Sequence, residues 1–136
     1  MMLNPFPDLL VLGLLAPFIL RVTLGLLFLM SGWRHATRER REGIASTLRV
    51  AWGSAGTFFI WYLAGIEILV GIALIFGFLT QIAALVGIII SAKMLFFRKR
   101  YPMIALQNVT HYVLVIAICV SLLLSGAGAL AIDIPL

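Results

Sequence analysis

Four long apolar stretches alternate with short polar ones along the chain. The first runs over roughly 8–32, after the helix-unfriendly Asn4, Pro5 and Pro7, and ends where charge begins at Arg34. The second covers roughly 57–77 and the third 80–97, and Gly77, Phe78 and Leu79 between them leave room only for a tight turn. These two therefore form an antiparallel hairpin. After the helix break at Pro102 a fourth stretch runs over 103–125, and the glycine-rich tail GAGALAIDIPL follows it. A helix needs about 20 apolar residues to cross the hydrocarbon core, so each stretch is one crossing. The pattern predicts an all-α transmembrane four-helix bundle forming a single membrane domain over 1–136. In the polar segment 33–56, Ile44, Leu48 and Trp52 recur every four residues. That spacing suits a short interfacial helix over 43–52, with a solvated loop as the alternative.

Composition agrees with this pattern. The 136 residues are 63% apolar and 11% charged, with mean hydropathy +1.17, more apolar surface than a soluble domain of this size can hide. The partner this composition demands is a lipid bilayer. The net charge of +5 does not point to nucleic acid, because nine of the ten Lys and Arg flank membrane spans, where basic clusters attract anionic headgroups. Five lie in the first loop and four around the third, none in the tight turn or at either terminus. The positive-inside rule then puts both basic loops in the cytoplasm and both termini outside. Trp33, Trp52, Trp61, Tyr62 and Tyr101 fall on the same basic side, as interfacial anchors do. Cys119 is the only cysteine, which excludes an internal dithiol relay. His35 and His111 are the only histidines, too few for a zinc site of three or four ligands, and no metal is expected.

The residues that carry chemistry are those that lipid does not tolerate. An isolated charge at a helix centre costs roughly 2.5 to 3.5 kcal/mol, and Arg21 and Glu67 stand near the middles of the first and second stretches. At about 1.5 Å per residue, antiparallel neighbours place both at similar depth, so a buried Arg21–Glu67 pair is expected. Gly13, Pro17, Arg21 and Gly25 share an i+4 stripe, while Ala64, Glu67 and Gly71 share a face of the second helix. Small residues of this kind let backbones approach closely. The pair reads either as a ligand-binding or proton-exchanging site or as a structural bridge fixing helix register. His111, with Asn108 and Tyr112 on neighbouring faces, is a candidate for proton relay or for a hydrogen bond to a carbonyl ligand. Lys93 is near a helix end and suits snorkelling; Ser91 and Gln81 suit hydrogen bonds between helices. No residue qualifies as catalytic from the sequence alone.

In order along the chain, FILRVTLGLLFLMSGWRHAT, IEILVGIALIFGFLTQIAAL and QNVTHYVLVIAICVSLLLSGAGALAID resemble the DoxX family of small bacterial four-helix membrane proteins. Arg21 with Gly25, Glu67 with Gly71, the run Gly77 to Thr80, and Gly126 with Gly128 and Asp133 carry the likeness, which covers nearly the whole chain. His35 stands where many members have lysine, and Ala129, Leu130 and Ala131 replace more polar residues before Asp133. The resemblance implies a redox-associated protein of the bacterial cytoplasmic membrane, of a family whose members are linked with a thiosulfate:quinone oxidoreductase and with membrane oxidoreductase complexes.

Two functions from different classes follow. In the first, a membrane subunit binds a quinone or similar lipophilic cofactor near Arg21, Glu67, His111 and Asn108. It carries no redox centre of its own, so a peripheral or soluble redox protein docks on the basic loops. In the second, the chain is a scaffold or assembly factor in which the polar pair is structural and small-residue faces dock another membrane protein or a second copy. A proton or solute conduit is a weaker third reading, since four helices leave little room for a pore.

Overall fold

A computed structural model of the chain describes residues 13, 15–100, 102, 105 and 107–126. Five helices form: α1 (Leu15–Ala36), α2 (Arg38–Trp52), α3 (Ser54–Phe76), α4 (Thr80–Arg98) and α5 (Val109–Ser125). α1, α3 and α4 are long and apolar enough to cross a bilayer, and α5 is a shorter apolar helix of 17 residues, at the lower end of what spanning requires. The protein is an all-α, multi-pass membrane protein. The expected start of the first span at Asp8, and Tyr101, Met103, Gly128 and Asp133, lie outside the described residues.

α1 packs most closely on α3 and α4 on α5, and the two pairs join through α3 with α4 and α1 with α5. Large apolar side chains such as Leu26, Met30, Leu69, Ile72, Leu85, Val113 and Leu124 are exposed, while Arg21, His35, Glu67, Thr80 and Ser91 are buried. This inside-out polarity is what a lipid solvent selects.

Three boundaries differ from the expected ones. α1 does not stop at Gly32 but continues through Arg34 to Ala36, because His35 turns inward and is buried. α5 begins at Val109 rather than near Met103, so His111 occupies its first turn instead of lying two turns into the membrane. Pro102 is in a turn before it, and Arg98 Nη1 donates to the Gln107 carbonyl at 2.7 Å, tying the connection to the end of α4. The segment after α1 is helical over its whole length as α2, and Ile44 and Leu48 are buried in protein. Leu48 sits on Gly56, where a Cβ would come within 2.6 Å of it. Trp52 closes this end of the bundle, edge-on to Phe59 and Phe97 at 5.7 and 6.0 Å.

The turn between α3 and α4 is as tight as expected. Gly77 takes the left-handed conformation with φ 66°, and the Phe78 N–H donates to the Ala73 carbonyl at 2.9 Å, the closure that glycine favours at a helix end.

The α1–α3 contact sets the register of the interior. A Cβ on Gly25 would lie 2.8 Å from the Gly71 carbonyl oxygen, and one on Gly71 would lie 2.8 Å from the Gly25 carbonyl oxygen. One pair of turns further on, Gly32 meets Ala64 and Ile68 in the same way. Gly13 is exposed, with nothing within 4 Å of its Cβ position, so the packing stripe starts at Pro17. Because the obstructing atoms are backbone, a methyl group cannot be absorbed by a rotamer change. Gly25→Ala and Gly71→Ala are each expected to lower stability by about 1–3 kcal/mol, whereas Gly65→Ala, which meets open space, leaves it unchanged or raised. Thermal unfolding in mild detergent checks this; equal melting temperatures for Gly25→Ala and Gly65→Ala would contradict it.

Candidate functional site

Glu67 lies on the α3 face that meets α1, one turn before Gly71, and is 3% exposed. Antiparallel packing at Gly32 and Ala64 sets it beside the last two turns of α1. There Ser31 Oγ–H donates to Glu67 Oε1 at 3.2 Å, and His35 Nδ1 lies 2.7 Å from Glu67 Oε2. With the carboxylate ionised, the proton of that bond is on Nδ1 and His35 donates it. His35 is itself only 1% exposed. A short bond between two ionisable groups out of water is of the charge-assisted kind, roughly twice as strong as a neutral one.

The expected Arg21–Glu67 pair does not form. Each charge precedes its packing glycine by four residues, and the two helices run antiparallel. When Gly25 meets Gly71, Arg21 and Glu67 are carried to opposite sides of the contact. Arg21 lies ten residues along α1 from Ser31, about 15 Å by helical rise, level with the end of α3. It is fully buried there, with its guanidinium 5.4 Å from the centroid of the Phe18 ring. The sequence signal for the true partner was present in His35, the one titratable side chain in the last turn of α1 that a helix extended past Gly32 turns toward α3.

Beside Glu67 the bundle leaves a partly open cavity of about 20 Å³, lined by Leu27, Phe28 and Ser31 of α1, Glu67 of α3, Ile90 and Ser91 of α4, and His111, Tyr112 and Val115 of α5. All four bundle helices contribute. That volume suits one water molecule, which needs roughly 10–15 Å³ and two to four polar partners, and the wall offers the carboxylate, two serine hydroxyls, a phenol and an imidazole. Leu27, Ser31 and His111 are its partly exposed members, and they stand on α1 and α5. Toward Arg21 the interior is filled by Leu24, Phe28, Leu74 and Cys119. Gly87 lets this layer close, since Phe28 and Cys119 both approach within about 3.1 Å of its Cβ position.

Of the other candidates, His111 lines the cavity and meets Tyr112 edge-on at 5.7 Å. Ser91 lines it too, whereas Gln81 and Lys93 are exposed. Asn108 is exposed at the N-cap of α5, where its carbonyl accepts from the His111 and Tyr112 N–H groups, and it is not on the cavity wall. Among the described residues no three His, Cys, Asp or Glu side chains gather closely enough to hold a metal ion. What the arrangement can do chemically is hold a proton between a carboxylate and an imidazole and exchange it with a single water.

A double-mutant cycle separates this pairing from the expected one. His35→Leu and Glu67→Leu are predicted to couple by about 1–3 kcal/mol, because each single change leaves a buried polar group without its partner. Arg21→Met and Glu67→Leu should add to within about 0.5 kcal/mol, as distant sites do. Coupling of Arg21 to Glu67 as large as that of His35 to Glu67 would overturn the assignment.

A model of the DoxX family matches residues 16–99, a span that holds Arg21, Ser31, His35 and Glu67. No curated protein and no solved structure matches the chain.

Proposed function

Because the chain belongs to the DoxX family, we propose that it is a redox-associated membrane subunit whose own task is proton exchange at Glu67 and His35, beside a lipophilic carrier of the quinone class. One observation carries this reading: Glu67 shares a 2.7 Å bond with the buried His35 and lines a water-sized cavity that His111 also lines.

A cavity of about 20 Å³ does not admit a quinone ring. It has room for an oxygen atom in place of the water, with the ring held outside at the α1–α5 seam. Ser31 and His111 would offer hydrogen bonds there and Leu27 an apolar wall. A quinone supplies two-electron, two-proton chemistry when bound, and its electrons would come from a peripheral redox protein. Glu67 and His35 hold the proton. His111, in the first turn of α5, links the cavity to the basic end, and the layer of Leu24, Phe28, Leu74 and Cys119 keeps protons from the other end out. Arg34, Arg49, Lys99 and Arg100 are exposed at the basic end, where they favour an acidic redox partner. The charge bias favours a cytoplasmic position for this end, and the family favours the bacterial cytoplasmic membrane.

The cavity's small size favours a second reading, a scaffold or assembly factor in which Glu67 and His35 only hold α1 to α3. Glu67→Gln distinguishes the two, since the amide oxygen still accepts from Nδ1–H but the site no longer exchanges a proton. Quinone-linked electron transfer in membranes should fall at least about 100-fold, as loss of a general acid–base group does. Quinone should be extracted near one per chain from the purified wild type and from Glu67→Gln, and be lost from Ser31→Leu, which blocks the seam. No quinone in the wild type, and unchanged electron transfer in a folded Glu67→Gln, would give the scaffold reading.

A further inference from the structure

A second concave site lies away from the bundle interior. Where α2 turns back at Gly53 into α3, a groove of about 540 Å³ opens between them, lined by Glu42, Ala45, Ser46, Arg49 and Val50 of α2 and Thr57 of α3. Its size is within the range of about 300–1,000 Å³ typical of small-molecule sites. α2 presents this groove because its opposite face, Ile44 and Leu48, is committed to protein, and Leu48 on Gly56 pins the two helices together at the apex.

Three features of the groove select its occupant. Ala45 and Val50 give its lining a small apolar part, and Val50 is 91% exposed, an apolar surface that suits an acyl chain. Trp52 at the end of α2 and Trp61 and Tyr62 in the first half of α3 are exposed, and such amphipathic rings mark headgroup level. Among the described residues that line it the charges are of opposite sign: Glu42 and Arg49 are seven residues apart, two turns along one face of α2, about 10 Å by helical rise. Long side chains from these positions bracket a headgroup carrying both a phosphate and a cation.

We infer that the groove between α2 and α3 binds an aminophospholipid, with the phosphate on Arg49 and the primary ammonium on Glu42. A guanidinium holds phosphate oxygens in bidentate fashion. Glu42 disfavours a headgroup whose only charge is negative, and it accepts hydrogen bonds from a primary ammonium that a quaternary one has no protons to donate. The binding is independent of the cavity chemistry at Glu67.

Native mass spectrometry of the full chain, released from micelles supplemented with phosphatidylethanolamine, phosphatidylglycerol or phosphatidylcholine of the same acyl composition, tests this. The wild type should retain phosphatidylethanolamine above the other two. Arg49→Gln should retain about five-fold less of it, the factor that one basic side chain near a membrane surface contributes, while Lys93→Gln, exposed on α4, should match the wild type. Glu42→Gln should lose the preference, with phosphatidylglycerol rising to equal or exceed phosphatidylethanolamine. Equal retention of all three lipids by the wild type, a preference for phosphatidylglycerol, or an Arg49→Gln protein that retains as much as the parent would each overturn the assignment. Glu42, Arg49 and Lys93 are exposed, so these substitutions do not threaten the fold.

Discussion

With no side chain at Gly25 or Gly71, the backbones of α1 and α3 come into direct contact, each within 2.8 Å of the other's missing Cβ, and this contact fixes which residues of the two helices face each other. In lipid, close backbone packing replaces the hydrophobic effect as the force that brings helices together. A register set by two glycines and confirmed at Gly32 cannot slide by a turn without driving side chains into carbonyl groups. Once Gly25 faces Gly71, Glu67 falls beside Ser31 and His35, and Arg21 falls at the far end of the interior.

The buried polar groups are thereby divided between two levels. At one, a carboxylate, an imidazole and a hydroxyl are linked by bonds of 2.7 and 3.2 Å, and the carboxylate and hydroxyl share a cavity with Ser91, His111 and Tyr112. At the other, Arg21 and Thr80 are fully buried. Leu24, Phe28, Leu74 and Cys119 separate the two levels. Isolated charges in a membrane are costly enough that they are kept where they act or where they hold structure together. Beside Glu67 the packing leaves a space the size of one water.

The fold was legible because the interval between polar breaks measures helix length directly, so the α3–α4 hairpin and its Gly77 turn emerge from sequence at close to their observed bounds. The amphipathic spacing of Ile44, Leu48 and Trp52 also marked α2, whose Ile44 and Leu48 are spent on protein contact while Trp52 stays exposed. The site was half legible. Glu67 and His111 stood out as polar residues in apolar helices, but their partners depend on register, which span midpoints do not measure. Placing Arg21 and Glu67 at equal depth assumed that α1 ended at Gly32. The helix runs on to Ala36, since pairing with Glu67 removes the cost of burying His35, and a histidine next to Arg34 looks like loop from composition alone. The glycines held the decisive information: two charges that each precede a contacting glycine by one turn must part in an antiparallel pair.

The bond between His35 and Glu67 is the central claim, and the chain's having only two histidines makes it directly observable. Solid-state NMR of protein in bilayers, with nitrogen-15 in histidine and carbon-13 in glutamate, should show one imidazole whose Nδ1 is dipolar-coupled to a side-chain carboxyl carbon, and Glu67→Gln should abolish that coupling while leaving the other histidine's resonances little moved. Two imidazoles with no carboxyl coupling, or a coupling that persists in Glu67→Gln, would contradict the account.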